Sequence, residues 1–111
     1  MSARPSWTEV ARLDLYDLCE YIAGDNLDAA LKLADDIEKA VARLARTPNR
    51  GRYVPELENT PVAREYRELI VRHVRGVYRP MRGAVLVHGV FDSRRDLEET
   101  LTERLLRPPT R

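Results

Sequence analysis

Cysteine and histidine are almost absent from this sequence of 111 residues. The only cysteine, Cys19, has no second thiol with which to form an intramolecular disulfide. The two histidines, His73 and His88, lie far apart, and no cluster of cysteine or aspartate accompanies them. We therefore expect neither a disulfide nor a metal site, and a lone thiol indicates a reducing, cytoplasmic location.

Long apolar runs and glycine-rich motifs are missing as well. No stretch approaches the ~18 consecutive apolar residues that a membrane-spanning helix needs. The first residues are polar and lack the apolar core of a secretion signal. There is no P-loop, no dinucleotide-binding glycine fingerprint and no nucleophile elbow. We therefore expect no membrane segment, no small-molecule cofactor and no conventional hydrolase.

Lysine is scarce, whereas arginine is abundant. Only Lys32 and Lys39 among the 19 basic residues are lysines, although the formal net charge is just +1. The basic residues concentrate between Arg64 and Arg95, while the carboxylates gather in the first 40 residues and near the C-terminal end. An arginine fork pairs bidentately with phosphate or carboxylate and also stacks on rings. The sequence therefore predicts an acidic helical layer beside a basic remainder.

Apolar residues in the first half recur at helical spacing. The first predicted helix begins after an N-cap at Thr8 and ends near Gly24, and the second runs from about Asp28 to Ala45. The short Asp25-Asn26 connection makes the two helices antiparallel neighbours. Their facing stripes are Ala11, Leu15, Leu18 and Ile22 in the first helix, and Ala30, Leu33, Ala34, Ile37, Val41 and Leu44 in the second.

Beyond Pro48 and Gly51 the apolar period changes from that of a helix to that of a strand. We expect an irregular loop over Tyr53–Pro61 and a hairpin turn at Pro80–Gly83. A short strand over Ala3–Trp7 would be confined to a sheet edge by Pro5. The other predicted strands are Tyr66–Val71, Val74–Arg79 and Ala84–Phe91, followed by a final helix from Arg94 to about Arg107, which Asp92-Ser93 caps and which buries Leu97, Leu101 and Leu105.

Together these elements predict an α+β fold in one domain that spans residues 1–111. An antiparallel helical hairpin, about 8–46, packs on a small antiparallel sheet, about 64–91. A C-terminal helix, about 94–107, completes the domain. The chain has no internal repeat and no linker.

Five short segments, in a fixed order and spacing, point to a family. From about Trp7 to Leu101 the chain resembles the RelE/ParE toxins of bacterial type II toxin–antitoxin systems. The resemblance implies the hairpin-on-sheet fold and a cognate antitoxin protein as partner. The segments are Asp25-Asn26, Gly51-Arg52-Tyr53-Val54-Pro55-Glu56-Leu57, Arg67-Glu68-Leu69, Val77-Tyr78-Arg79 and Arg94-Arg95-Asp96.

One branch of this family, typified by RelE, cleaves mRNA on the ribosome without a metal ion. Carried over by position, the resemblance assigns phosphate binding to Arg75 and to Arg94 or Arg95, and His73 could act as the base. The tyrosine that this branch uses near its C-terminus has no counterpart, because Thr100 and Leu101 stand near its place. The sheet-side lysines are missing too. A ribosome-dependent endoribonuclease therefore remains the alternative.

The ParE branch, which acts on DNA gyrase by protein–protein binding, is the better match, and it requires no catalytic residue. Leu27, where a proline is frequent, and Asp92, where a histidine is frequent, depart from its pattern. We expect a toxin that binds rather than cleaves, with a non-toxic, antitoxin-binding member of the family as a further alternative. The expected target-binding residues are Arg52, Arg94, Arg95, Arg104 and Arg107, and the expected antitoxin-binding residues are Tyr21, Leu31, Tyr53, Val54 and Leu57.

Overall fold

The computed structural model describes residues 4–106 and consists of a five-stranded sheet with helices on both faces. The strands lie in the order β1-β5-β4-β3-β2. The predicted α+β class is confirmed. The elements are β1 (Arg4–Trp7), α1 (Glu9–Ala23), α2 (Leu27–Arg43), β2 (Arg52–Tyr53), a 3₁₀ turn (Pro55–Leu57), β3 (Arg67–Val71), β4 (Val74–Met81), β5 (Ala84–Asp92) and α3 (Glu98–Leu101), which continues as a π-helical turn (Thr102–Leu106).

Side-chain caps begin both helices of the hairpin. The Thr8 hydroxyl accepts a hydrogen bond of 3.0 Å from the Ala11 amide, and the Asn26 side chain accepts one of 3.0 Å from the Ala29 amide. The amides of Asp25 and Asn26 bond back to the carbonyl of Ile22, which closes the tight link between α1 and α2. Within the described chain, no helix has the length and apolar character needed to cross a membrane.

The sheet carries an apolar core on each face. The hairpin covers one face, where Ala11, Leu33, Ile37, Val41 and Leu44 pack on Val74, Tyr78, Val85, Val87 and Val90. The loop after β2 and the C-terminal helical turn cover the other face, where Val54, Leu57, Tyr66, Leu97 and Leu101 pack on Val77 and Phe91. The sheet is therefore the middle layer of the domain.

A β-bulge in β5 changes which side chains meet each core. Val77 pairs with Gly89, but the next residue, Tyr78, pairs with Val87, so His88 is the extra residue of the bulge. Val85 and Val87, at odd positions before the bulge, and Val90, at an even position after it, all face the hairpin. The bulge thus reverses the alternation of inward and outward residues within one strand.

Four sequence predictions need correction. β1 pairs in parallel with β5, so the sheet is mostly rather than wholly antiparallel; the Ala3 end of that prediction lies outside the described residues. The expected loop over Tyr53–Pro61 contains part of β2 and the 3₁₀ turn, because Arg52 and Tyr53 pair with β3. The hairpin turn is shorter than Pro80–Gly83, since β4 continues through Met81 and Gly83 takes the positive φ.

The C-terminal helix starts later than predicted, at Glu98 rather than Arg94. The Asp92 carboxylate accepts hydrogen bonds from the amide and the guanidinium of Arg94, which holds Arg94 and Arg95 in a turn. Leu97 and Leu101 are nevertheless buried as expected.

Two glycines in neighbouring strands should respond oppositely to alanine. A Cβ at Gly76 would meet no atom within 4 Å, whereas a Cβ at Gly89 would overlap the ring of Phe91 and approach the guanidinium of Arg104. We expect Gly76→Ala to raise the free energy of unfolding by about 0.5–1 kcal/mol and Gly89→Ala to lower it by about 1–3 kcal/mol. Urea unfolding measures both; a destabilised Gly76→Ala variant would contradict the packing described here.

Candidate interaction surfaces

A buried group of charges, here called the Glu68 network, joins β2, β3, β4 and the 3₁₀ turn. It consists of Glu68, Arg75, Glu56 and Arg52. The Glu68 side chain is wholly buried and accepts hydrogen bonds from Arg75 Nε at 2.8 Å and from Arg52 Nε at 2.7 Å. Both terminal nitrogens of Arg75 bond to the carboxylate of Glu56 at 2.6 Å. All three nitrogens of Arg75 are therefore engaged within the protein.

The network shifts the protonation equilibria of its members. Hydrogen bonds from Arg75 hold the pKa of Glu56 below its usual value, although partial burial opposes the shift. Hydrogen bonds to Glu56, together with those to Glu68, raise the pKa of Arg75. Both groups therefore stay charged at neutral pH and fix the 3₁₀ turn against the sheet.

Tyr78 fixes the segment that leads into β2. Its hydroxyl donates to the carbonyl of Pro48 at 2.8 Å and accepts from the amide of Gly51 at 2.9 Å. A Cβ at Gly51 would overlap the Tyr78 ring and the backbone of Glu68, so only glycine permits this approach. The buried Tyr78 therefore fixes the position of the backbone from which Arg52 and Tyr53 project.

Tyr53 is presented at the β2 edge between two arginines. The guanidinium of Arg67 lies 4.3 Å from the ring centroid and donates to the Tyr53 hydroxyl at 3.2 Å. Arg64 approaches the same ring at 5.8 Å. Because the ring stays 42% exposed, these contacts orient a side chain that still faces solvent.

Arg94 and Arg95 lie on an open turn after β5. Arg94 forms a forked ion pair with Asp92, with N–O distances of 2.9 and 2.6 Å, yet its side chain is 76% exposed. Hydrogen bonds from Arg94 hold the pKa of Asp92 well below its usual range. Arg95 is exposed and forms no ion pair with any of residues 4–106. The hydrogen bonds between Arg94 and Asp92, together with the charge of Asp92, raise the pKa of Arg94.

Arg104 is held differently from its neighbours in the sequence. Its terminal nitrogens bond to the two carboxylate oxygens of Asp14 at 2.5 and 3.3 Å, and Asp14 also accepts from the Val90 amide at 3.0 Å. Gly89 leaves the space that the Arg104 guanidinium fills. The sequence places Asp14 on the first helix but does not predict its pairing with Arg104, because 90 positions separate the two residues and no local pattern links them.

The expected target-binding residues fall into separate regions. Arg94 and Arg95 share the turn after β5, whereas Arg52 lies in β2, three strands away in the sheet order. Arg104 lies in the π-helical turn and is engaged by Asp14. Arg107 lies outside the described residues. Arg94 and Arg95 are thus the pair that the fold presents together.

The expected antitoxin-binding residues divide by burial. Tyr21 and Leu31 are 81% and 61% exposed, and Tyr53 is also exposed. Val54 and Leu57 are each only 1% exposed, because the 3₁₀ turn folds them into the core beneath β4 and α3. The expectation that Val54 and Leu57 face a partner is therefore wrong for this conformation of the chain.

A groove runs along the hairpin beside β1, with a volume of about 570 Å³. Apolar side chains form much of its floor, and polar residues such as Glu38 stand at its rim. Its dimensions and composition suit an amphipathic helix, and β1 next to it is an outer strand of the sheet. The residues that line the groove were not among the antitoxin-binding residues expected from the sequence; they include Trp7, Leu15, Tyr16, Cys19, Ala34 and Val41.

Known proteins resemble this chain in sequence pattern and in structure. The family described as ParE toxin of type II toxin-antitoxin system, parDE, matches residues 6–97. A chain from the chromosomal ParDE TA system from P. aeruginosa superposes with a TM-score of 0.65 and 21% identity, covering 82% of this chain and 96% of that one. A chain from the toxin-antitoxin complex RelBE2 from Mycobacterium tuberculosis gives a TM-score of 0.55 and 22% identity, covering 83% and 92%. No curated protein sequence matches significantly.

The Glu68 network should make stability depend on pH. Because the folded pKa of Glu56 is lowered, its contribution is present above the unfolded value of about 4.3 and is lost as the pH falls through the folded pKa. We expect Glu56→Gln to unfold at lower urea concentration at pH 7 and to lose less stability on acidification than the wild type. The exposed Glu58→Gln is the charge-matched control, and equal behaviour of the two variants would contradict the role given to Glu56.

Proposed function

The chain belongs to the ParE family of toxins of type II toxin–antitoxin systems, and we propose that it inhibits DNA gyrase by protein–protein binding in the cytoplasm until a cognate antitoxin neutralises it. The match to the ParE toxin family over residues 6–97 carries this proposal. The exposed side chains of Tyr21, Leu31 and Arg94 are also available to bind another protein.

The antitoxin is proposed to occupy the hairpin groove. An amphipathic helix would bury its apolar side on Leu15, Ala34 and Val41, and an extended segment could follow the adjoining edge of the sheet at β1. Solved relatives of this fold come from a ParDE system and from a RelBE2 toxin-antitoxin complex, which supports a protein partner of this kind. Tyr21 and Leu31, both exposed on the hairpin, would extend the contact beyond the groove.

The gyrase contact is proposed to centre on Arg94 and Arg95. Both side chains are exposed, and the fork with Asp92 holds the backbone of their turn without covering the Arg94 guanidinium. We propose that Arg104 supports this surface indirectly, because its ion pair with Asp14 anchors the π-helical turn.

The ribonuclease alternative fits the surroundings of Arg75 poorly. To bind a phosphate, Arg75 would have to leave Glu56 and the fully buried Glu68. Removing the partner of a buried charge typically costs about 3–5 kcal/mol. Leu101, near the place where the RelE branch has its tyrosine, is buried in the core. General acid and base groups contribute ~10²–10⁴-fold each, so their loss would leave little cleavage.

Two assays on the purified chain separate the proposals. We expect the protein to inhibit supercoiling of relaxed plasmid by gyrase, and to leave mRNA intact in a translation reaction read by primer extension. Discrete cuts at the ribosomal A site that vanish in an Arg75→Ala variant would favour the ribonuclease. Absence of both activities, together with normal growth of cells that produce soluble protein, would identify a non-toxic antitoxin-binding member.

The arginines after β5 should carry toxicity. We expect Arg94→Ala/Arg95→Ala to abolish growth arrest on induced expression while the melting temperature stays close to that of the wild type, because exposed ion pairs contribute little to folding. The control Arg4→Ala/Arg82→Ala removes the same charge from exposed positions elsewhere and should remain toxic. A well-folded Arg94/Arg95 variant that still arrests growth would refute this assignment.

A further inference from the structure

Three arginines cluster where α2 ends, beside the hairpin groove, which reaches Ala42 in the same turn of the helix. Arg43 lies in the last turn of the helix, and Arg46 and Arg50 follow in the segment that leads to β2. All three are exposed, and none forms an ion pair with any of residues 4–106. By contrast, Arg72, Arg75 and Arg79 all pair with carboxylates. The positive charge at the end of α2 is therefore not compensated by ion pairs within the described chain.

These arginines border a shallow depression of about 520 Å³. Its lining contains neither a carboxylate nor an aromatic ring; it consists of Ala42, Arg43, Ala45, Arg46, Thr47 and Arg50. The backbone beneath it is held by hydrogen bonds. The Arg50 amide donates to the carbonyl of Thr47 at 3.0 Å, and the Thr47 hydroxyl donates to the carbonyl of Arg43 at 3.2 Å. The fold thus presents the three guanidinium groups from a defined turn.

Favourable interaction with the helix dipole accounts for only part of this cluster. A cation near a helix C-terminus gains about 0.3–1 kcal/mol, and the effect fades within the last turn. Arg43 lies within that turn, but Arg46 and Arg50 lie beyond it. A second explanation is therefore needed for the two arginines after the helix.

We propose that Arg43, Arg46 and Arg50 bind the phosphate backbone of double-stranded DNA without reading its sequence. Arginine forks match phosphate geometry bidentately. The Arg46 amide donates to the carbonyl of Arg43 at 3.2 Å, so both side chains leave one tight turn of the backbone and can approach neighbouring phosphates of one strand. The absence of an aromatic ring from the lining disfavours stacking on single-stranded bases.

This surface is distinct from the turn proposed to contact gyrase. A second depression, next to the three arginines, reaches strand β3, whereas Arg94 and Arg95 follow β5. Its lining is Asp36, Lys39, Ala40, Arg43, Arg50 and residues 69–71. DNA binding is measured with the isolated chain, so its outcome does not depend on the protein target. If both surfaces act together, the toxin contacts a DNA-bound enzyme through protein and nucleic acid at once.

The test is fluorescence anisotropy of a labelled random-sequence duplex titrated with the full chain at several salt concentrations. We expect the wild type to bind with a Kd tighter than about 10⁻⁴ M, as is typical of nonspecific complexes. Arg46→Gln/Arg50→Gln should bind roughly tenfold more weakly at low salt. The salt dependence should also become weaker: the slope of log K against log salt is negative, and its magnitude should fall by about 1.8, which corresponds to the loss of two phosphate contacts.

The matched control is Arg4→Gln/Arg82→Gln. It removes the same charge from two exposed positions in β1 and in the turn between β4 and β5, and neither residue forms an ion pair within the described chain. Equal weakening of both variants would show that only net charge matters and would overturn the proposal. So would absence of wild-type binding at about 10⁻⁴ M, the weak end of nonspecific affinity.

A third arm uses a polyglutamate peptide as an acidic protein segment. If the peptide binds more tightly than the duplex and loses affinity in Arg46→Gln/Arg50→Gln, the surface recognises protein and the DNA proposal fails. Thermal unfolding of both double variants accompanies these titrations. Unchanged melting temperatures ensure that a loss of binding reports on the surface and not on the fold.

Discussion

The carboxylate of Glu68, fully enclosed beside the central strands, is the constraint on which the rest of this structure depends. An enclosed charge requires charged donors, and the structure provides Arg75 and Arg52. Arg75 in turn engages Glu56, so one desolvated anion determines where β2 and the following 3₁₀ turn must lie. That turn places Val54 and Leu57 over the second face of the sheet. Arg75, to which the family resemblance would assign phosphate binding, is therefore an internal part of the fold.

Most of the hairpin could be predicted, because its stripes, its N-cap at Thr8 and its short Asp25-Asn26 link are all local signals. The bulge at His88 could not, since one extra residue in β5 leaves no mark in an apolar run that reads equally well on both faces. Val54 looked available for a partner because it lies in a segment rich in turn residues. The segment packs Val54 and Leu57 into the core because Glu56 pairs with Arg75, a residue distant in the sequence, and no local pattern indicates that pairing.

The prediction for Arg94 and Arg95 rested on the resemblance of the Arg94-Arg95-Asp96 segment to the ParE toxins, and their exposure in the fold adds a physical reason to single them out. Arg94 bonds only to Asp92 in its own turn, whereas most other arginines between residues 64 and 106 bond to distant parts of the fold: Arg75 to two carboxylates, Arg104 to Asp14, and Arg67 to Tyr53 and two backbone carbonyls. The sequence presents one basic region, but the fold divides its arginines into two groups. One group stabilises the fold through ion pairs and hydrogen bonds, and the other remains exposed to solvent. The second group is small, and no reading of composition could have separated it from the first.

The parallel pairing of β1 with β5 sets the order in which the molecule can be completed as it is synthesised. Residue 4 finds its partner only when residue 84 is available, and the Asp14 carboxylate must wait for the amide of Val90. At translation rates of about 5–20 residues per second, the hairpin leaves the ribosome seconds before the strand that anchors it. Contacts between residues so distant in sequence form slowly. Throughout that interval the hairpin lacks the face of the sheet on which it packs, so its apolar stripe stays exposed until β4 and β5 have been synthesised.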